Sequence, residues 1–328
     1  MGAGNLSRRE LCAGLAATLA LPAAGAFGAA PKPQPPQSKT TYPDMIGEVR
    51  HYFARQEDTL LDLARQNSLG FVEMVAANPG VDPWVPGAGA QIVLPTAHLL
   101  PAGPREGLLL NVVDQRLYYF PPDGKPVESY PTGTGREAWA TPLGTTKILR
   151  KKRNPSWYVP ASARKEDPTL PAVVRPGPDN PLGNHAMYLG WDAYLIHGTN
   201  KPWGVGRRVS RGCIRMYPEE IAMLYPRIAI GTPVTVVKQE VKLGWHSGEL
   251  MLEAHPSLDQ NIELEETGKF TPAAVPELAY RVSEAAGRSV DRINWQAVNA
   301  AVDRRSGIPV PILRDKEIGL NEETNRPG

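Results

Sequence analysis

The chain has 328 residues, enough for two packed domains with appendages. Its 36 Lys and Arg nearly balance 34 Asp and Glu, for a formal net charge of +2, so no basic excess argues for a nucleic-acid partner. With 34 prolines, about twice the usual share, and 31 glycines, the composition favours a mainly β chain of short strands and many turns.

Residues 1–30 open with Ser7-Arg8-Arg9-Glu10-Leu11 and continue as an uncharged Ala- and Leu-rich run, broken by Pro22 and ending in small residues near Ala26 and Ala30. This reads as a bacterial export signal and implies a periplasmic or cell-envelope location. The paired arginines resemble a twin-arginine signal and equally suit an ordinary secretory leader. The run is about seventeen residues long, short of the ~20 that span a bilayer, which argues against a retained anchor. Cys12 lies inside this signal, without the small-residue context of a lipoprotein cysteine. Residues 31–47, with Pro31, Pro33, Pro35, Pro36 and Pro43 among polar residues, read as an extended linker.

A compact unit is expected over residues 48–97. Val49-Arg50-His51-Tyr52-Phe53 alternates like a strand. Thr59, with Asp62 three positions on, has the spacing of a helix cap, and Leu60, Leu63 and Ala64 then share one face. Phe71, Met74 and Val75 make a second short apolar face, stopped by Asn78-Pro79, and Gln91-Ile92-Val93-Leu94 closes the unit as a strand. This small α+β unit of β-α-α-β order, with Glu57-Asp58-Thr59-Leu60, Asn78-Pro79 and Ile92-Val93-Leu94-Pro95, resembles a LysM module. The resemblance implies binding of N-acetylglucosamine-containing glycan such as peptidoglycan. Glu57 departs from the usual Gly, and the same residues suit a purely structural domain, because they mostly build the core while only loops would touch sugar.

Beyond the Pro101–Pro104 linker, residues 104–240 read as the main β domain. Leu108–Val113 and Arg116–Phe120 flank Asp114-Gln115 as a hairpin, and further strands are expected at 145–149, 186–189, 193–196 and 234–237. The turn-forming Thr132-Gly133-Thr134-Gly135 and Thr141-Pro142-Leu143-Gly144 lack the Gly-Lys-Ser/Thr ending of a phosphate loop, which excludes nucleotide binding. Seven prolines between Asn154 and Pro181 mark a long loop, either a lid over a cleft or a rigid surface segment. Pro218-Glu219-Glu220 opens a helix whose Ile221, Leu224, Tyr225 and Ile228 share a side.

The chemistry-bearing stretch runs from His197-Gly198 to Ser210-Arg211-Gly212-Cys213-Ile214-Arg215, with the histidine sixteen positions before the cysteine. A thiolate attacks carbonyls and needs a base to form, which makes Cys213 the candidate nucleophile, kept ionised by His197 at the end of its strand. An exported chain stripped of Cys12 would carry Cys213 as an unpaired thiol, which in an oxidising space is either buried or used. Gly212 lets the backbone turn sharply, so that the amides of Gly212 and Cys213 can hold an oxyanion. Ser210 reads as an orienting hydroxyl. Arg215 either grips a substrate carboxylate with its planar fork or bridges backbone carbonyls.

These residues resemble the signature of the L,D-transpeptidases (YkuD-type). His197-Gly198 match its first half, and Ser210, Gly212, Cys213, Ile214 and Arg215 match its second. Arg211 stands where the family commonly has a second histidine, and arginine is no base at neutral pH. The resemblance, strongest over about Gly107 to Lys238, implies a mainly β catalytic domain of mixed sandwich or barrel type with few helices. It also implies cleavage of a peptidoglycan tetrapeptide stem before its terminal D-Ala, through a thioester on Cys213. The Gly198 carbonyl would orient His197, while Arg215, Arg211 and Tyr188 would contact substrate. The acyl acceptor would be another stem peptide or the terminal lysine of an outer-membrane lipoprotein; the module order and the tail resemble lipoprotein-attaching members more. Rival readings are a Cys/His peptidoglycan hydrolase using water and a non-catalytic glycan-binding envelope protein.

Residues 241–328 form a C-terminal extension, with strands at 241–245 and 249–253 and helices at 276–286 and 294–304, the latter with Trp295, Val298 and Val302 on one face. No chemistry is assigned to it. His185, twelve positions before His197, lacks the further ligands a zinc site needs, and neither a metal nor a cofactor is expected.

Overall fold

Residues 42–47, read from the sequence as the end of the linker, instead carry strand β1 (Met45–Ile46). The cause is apolar burial: the Tyr42 ring meets Phe120 edge-on at 5.3 Å, its hydroxyl donates to the Pro121 carbonyl at 2.7 Å, and Ile46 packs beside it. The structure is a computed structural model that describes residues 42–315, so the expected export signal and linker residues 31–41 lie outside the described residues.

Strand β2 (Arg50–Phe53), helices α1 (Leu60–Gln66) and α2 (Phe71–Ala77) and strand β3 (Gln91–Leu94) follow, with β2 and β3 antiparallel. Thr59 caps α1, accepting the Asp62 amide at 3.0 Å and donating to the Asp62 carboxylate at 2.8 Å. Leu60, Leu63, Ala64, Phe71, Met74, Val75, Ile92 and Leu94 fill one core, which Leu264 from the C-terminal region completes. Helix α2 is therefore buried along its whole length rather than on one face.

Strand β4 (His98–Leu99) pairs with β1 and leads into β5 (Gly107–Asn111), β6 (Arg116–Phe120) and β7 (Glu128–Pro131). Next come β8 (Thr134–Gly135), β9 (Gly144–Arg153), β10 (Trp157–Tyr158), α3 (Ala161–Glu166), β11 (Val173–Val174), β12 (His185–Leu189) and β13 (Leu195–His197). Strands β14 (Arg208–Ser210) and β15 (Ile214–Arg215), helix α4 (Pro218–Leu224) and strand β16 (Pro233–Val237) complete this region. Eight strands form one mixed sheet in the order β15-β13-β12-β9-β16-β5-β6-β7, parallel only at β15/β13 and β16/β5. Just past β7, Gly133 exchanges both backbone hydrogen bonds with Arg215 of β15 at 2.9 Å each, so the two edges of the sheet meet and the sheet curls on itself. Its concave side holds Leu108, Leu117, Ile148, Met187, Ile196, Ile214 and Val234, closed off by Ile221 and Leu224 of α4. The Pro-rich segment expected to be a bare loop contains β10, α3 and β11. Asn180 organises it, its amide donating to the carbonyls of Pro155, Val174 and Arg175.

The C-terminal region adds β17 (Val241–His246), β18 (Glu249–Ala254), α5 (Leu258–Thr267), α6 (Leu278–Ala286), α7 (Trp295–Arg304) and β19 (Val310–Pro311). Helix α5 was not expected: its buried residues are Gln260, Asn261 and Leu264, so the apolar period is missing, although Ser257 and Gln260 form a capping box. Trp295 was expected on the buried side of α7, but only Val298 and Val302 are buried there. Among the described residues, no helix is long and apolar enough to cross a membrane.

The pieces interlock through a buried ionic cluster. Lys242 of β17 lies 2.8 Å from Asp114, 2.7 Å from Glu253 and 2.9 Å from the Tyr118 hydroxyl, all four fully or nearly fully buried. Burial alone would depress the ammonium's pKa, yet the two carboxylates raise it above its ordinary value. Glu253 also accepts from His255 at 2.6 Å and from the Leu99 amide. Beside it, Arg116 of β6 binds Glu73 of α2 at 3.3 Å and the Ser68 carbonyl at 2.7 Å. Removing one partner of such a cluster leaves uncompensated buried charge. Lys242→Ala should therefore lose about 3–5 kcal/mol of stability in urea denaturation; a loss under 1 kcal/mol would show the cluster to be solvated.

Candidate functional site

Strand register decides which side chains share the site. Ala186 pairs with His197, Met187 with Ile196 and Tyr188 with Leu195, and parallel β15 sets Ile214 beside Ile196 and Arg215 beside His197. Side chains alternate along a strand, so Met187, Ile196 and Ile214 enter the core while Tyr188, Leu195, His197 and Arg215 occupy the opposite face. Cys213, one position before Ile214, falls on that same face.

The cysteine turn is built by neighbouring hydroxyls. The Ser210 hydroxyl, itself buried, donates to the Cys213 carbonyl at 2.5 Å and accepts from the Gly212 amide at 3.1 Å. Thr141 donates to the Gly212 carbonyl at 2.9 Å and accepts from the Gly135 amide at 3.1 Å. Gly212 has φ +96°, and a Cβ there would lie 2.6 Å from the Tyr194 ring, so glycine is required on both counts. The half-buried thiol faces the Ala193 carbonyl at 3.5 Å. Because Ser210 takes the Gly212 amide, the expected pair of oxyanion donors reduces to one: the Cys213 amide has no acceptor among the described residues.

His197 is buried, and its Nδ1 lies 2.5 Å from the Gly198 carbonyl. A carbonyl only accepts, so Nδ1 carries the proton and Nε2 is left as the basic nitrogen. Burial and then the Arg215 cation push the imidazole pKa down to about 3, with Gly198 opposing them. Burial pushes the Cys213 thiol up, while the Leu195 amide and Arg215 pull it back. Burial thus works against the ionised sulfur expected from the sequence and against a charged imidazole alike. The cause is desolvation, which acts against both charged forms.

Arg215 is half-buried, its charge acts on both Cys213 and His197, and no carboxylate pairs with it among the described residues. Its backbone is engaged by Gly133, whereas among the described residues its buried Nε has no hydrogen-bond partner. Arg211 is bound instead by Glu166 of α3, which also takes Arg136 at 3.0 Å. The Tyr188 ring is covered by the Arg150 guanidinium at 3.6 Å. His185 meets the Tyr225 ring at a tilt of 50° with centroids 4.8 Å apart, and it belongs to no cluster of possible metal ligands among the described residues. Asp114, Glu253 and His255 approach one another within 4.8 Å, as metal ligands could, but the Lys242 ammonium already occupies both carboxylates.

Sequence reasoning missed Glu166, Arg136 and Tyr194. The first two form a charge pair set by tertiary contact alone; Thr141 was flagged within a turn motif without its role. The acids opening α4 are engaged elsewhere or disfavoured as anions: Glu219 binds Arg65 at 2.8 Å, and burial pushes the Glu220 carboxyl up to about 8.

A family model for the YkuD L,D-transpeptidase catalytic domain matches residues 105–236. Over 256 residues the chain is 40 % identical to the probable L,D-transpeptidase ErfK/SrfK of Escherichia coli strain K12, covering 76 % of this chain and 80 % of that protein. The probable L,D-transpeptidase YcfS of the same strain is 34 % identical, over 82 % of this chain and 85 % of its own length. For the probable L,D-transpeptidase YbiS, also of strain K12, the values are 35 %, 75 % and 81 %.

A raised thiol pKa has a direct signature. Alkylation of Cys213 by iodoacetamide should keep accelerating as pH rises past the ordinary thiol value of 9.0, without a plateau near neutrality. Arg215→Met removes a cation that favours the thiolate and should move the profile upward by about one pH unit. A plateau at pH 6–7 in the unsubstituted protein would instead show a preformed ion pair.

Proposed function

The chain belongs to the L,D-transpeptidase family, and on that premise we propose that it is an exported peptidoglycan L,D-transpeptidase working through an acyl-enzyme on Cys213. The observation that carries this reading is one sheet face bearing Cys213, His197 and Arg215, with the imidazole tautomer fixed by Gly198. The proposed location is the periplasm, reached through the export signal.

The donor is the tetrapeptide stem. As sulfur attacks the carbonyl of the third-position diamino acid, the thiol proton passes to Nε2 of His197, so that charge appears only when substrate has arrived. The Cys213 amide faces the developing oxyanion. The C–N bond to D-Ala breaks, His197 returns the proton to the leaving amine, and a thioester remains. An acceptor amine then attacks the thioester, gives its proton to His197, and the sulfur leaves and is reprotonated. Exchanging one amide for another through a covalent intermediate needs no ATP, which the periplasm lacks.

Arg215, unpaired among the described residues, is the proposed fork for a substrate carboxylate, and Arg211 contributes by exchanging Glu166 for a second one. Tyr188 lines the same face. The preferred acceptor is the terminal lysine of an outer-membrane lipoprotein, with a second stem peptide as the alternative. The β2-α1-α2-β3 unit is proposed as the LysM-like glycan-binding element.

Mass spectrometry of the protein after exposure to a tetrapeptide stem or a carbapenem tests the reading. A covalent adduct is expected on Cys213 and none on Cys213→Ala, and His197→Gln should slow acylation by about 10²–10⁴-fold. Muropeptide profiles identify the acceptor: lysine-linked stems, new stem-to-stem links, or trimmed stems, the last meaning hydrolysis. An unmodified cysteine after both reagents would overturn the assignment.

A further inference from the structure

The segment between His197 and Cys213 does not stand alone. One corner of the N-terminal unit, residues 68–72 at the junction of α1 with the first turn of α2, presses on it. Gly206 has φ +75°, and a Cβ there would lie 2.2 Å from the Phe71 nitrogen and 2.3 Å from Gly70 Cα. Two backbones therefore touch with no side chain between them. The Val72 amide donates to the Gly206 carbonyl at 3.2 Å, and the Gly206 amide donates to Thr132 at 3.1 Å. The next residue, Arg207, lays its guanidinium 4.6 Å from the centre of the Phe71 ring and bonds Glu265 of α5 at 2.7 Å.

The same corner also grips the chain beyond the cysteine. The Tyr217 hydroxyl donates to the Leu69 carbonyl at 3.2 Å, and Arg65 of α1 binds both oxygens of Glu219 at 2.8 and 2.9 Å. Both ends of the piece that carries Ser210, Gly212, Cys213 and Arg215 thus rest on the N-terminal unit. A glycan-binding element that merely delivered the enzyme to its polymer would need a flexible tether, not a backbone-to-backbone seat against the cysteine loop.

We infer that the N-terminal unit positions the Cys213 loop for acyl transfer, with Gly70 and Tyr217 as positioning residues, so that catalysis depends on it even for substrates that carry no sugar. The inference rests on the transpeptidase reading. It separates two jobs in one small unit: a glycan contact on its loops and a brace for the catalytic turn on its α1–α2 corner.

Gly70 provides a clean test. Its φ of −88° accepts any residue, and within its own unit the nearest atoms to an added Cβ are those of Glu73 at 3.8 Å, ordinary van der Waals contact. Across the seam the same Cβ would lie 2.9 Å from Gly206 Cα, backbone that must shift. In the full chain, acting on a soluble tetrapeptide stem without sugar, Gly70→Ala should lower kcat by about 10- to 100-fold and leave KM within about twofold. It should also change the rate at which iodoacetamide alkylates Cys213. Tyr217→Phe, which removes only the hydroxyl, guards against misfolding and should lower kcat severalfold with an unchanged melting temperature. Gln56→Ala, exposed on the same unit, should match the unsubstituted protein. Full kcat and unaltered alkylation in both Gly70→Ala and Tyr217→Phe would overturn the inference. Failure of the unsubstituted protein to acylate would strike the transpeptidase reading instead, which keeps the two outcomes apart.

Discussion

The parallel pairing of β13 with β15 is the constraint on which the site depends. Because Ile196 lies beside Ile214, His197, Arg215 and the preceding Cys213 all leave the core on one side. A slip of β15 by one residue would turn Arg215 and the preceding Cys213 toward the apolar interior and expose Ile214, while His197 stayed where β12 holds it. A two-residue strand is weak alone, and β15 is held on its far edge by Gly133, whose two bonds to Arg215 close the sheet. The Ser210 hydroxyl and Thr141 then fix the turn that leads into it. The position of Cys213 thereby depends on sheet closure as well as on the turn that carries it.

Burial governs the electrostatics of this face. Desolvation acts against both imidazolium and thiolate, and Arg215 shifts the two groups in the same direction, favouring the thiolate while disfavouring the imidazolium. Both oxidation and alkylation proceed through the thiolate, so burial that disfavours the thiolate slows both. Any anion that offset the Arg215 cation would raise both groups, making the imidazole a stronger base and the thiol a weaker acid.

Much of the fold and the core of the site could be read from the residues. Thr59 with Asp62, the hairpin around Asp114-Gln115, the proline-led helix at Pro218 and the His197 to Cys213 spacing each carry a local signal, and each appears where that signal falls. What was missed is non-local or polar. Helix α5 buries Gln260 and Asn261, so its period is invisible in hydropathy. The hydroxyl of Ser210 captures the Gly212 amide through a turn geometry that sequence does not encode. The partnership of Arg211 with Glu166, and the seat of Gly206 on Gly70, join residues far apart in the chain whose types give no hint of one another.

The salt-linked centre around Lys242 bears on how such chains can evolve. Its members come from the loop after β5, from β6 and from the two strands of the C-terminal hairpin, with Glu73 and Arg116 extending it into the N-terminal helices. Domain shuffling works when a cut surface is apolar or wet, because either heals on recombination. A boundary stitched with unsolvated charges does not heal, so separating any one of these three segments from the others would leave a buried charge without its partner.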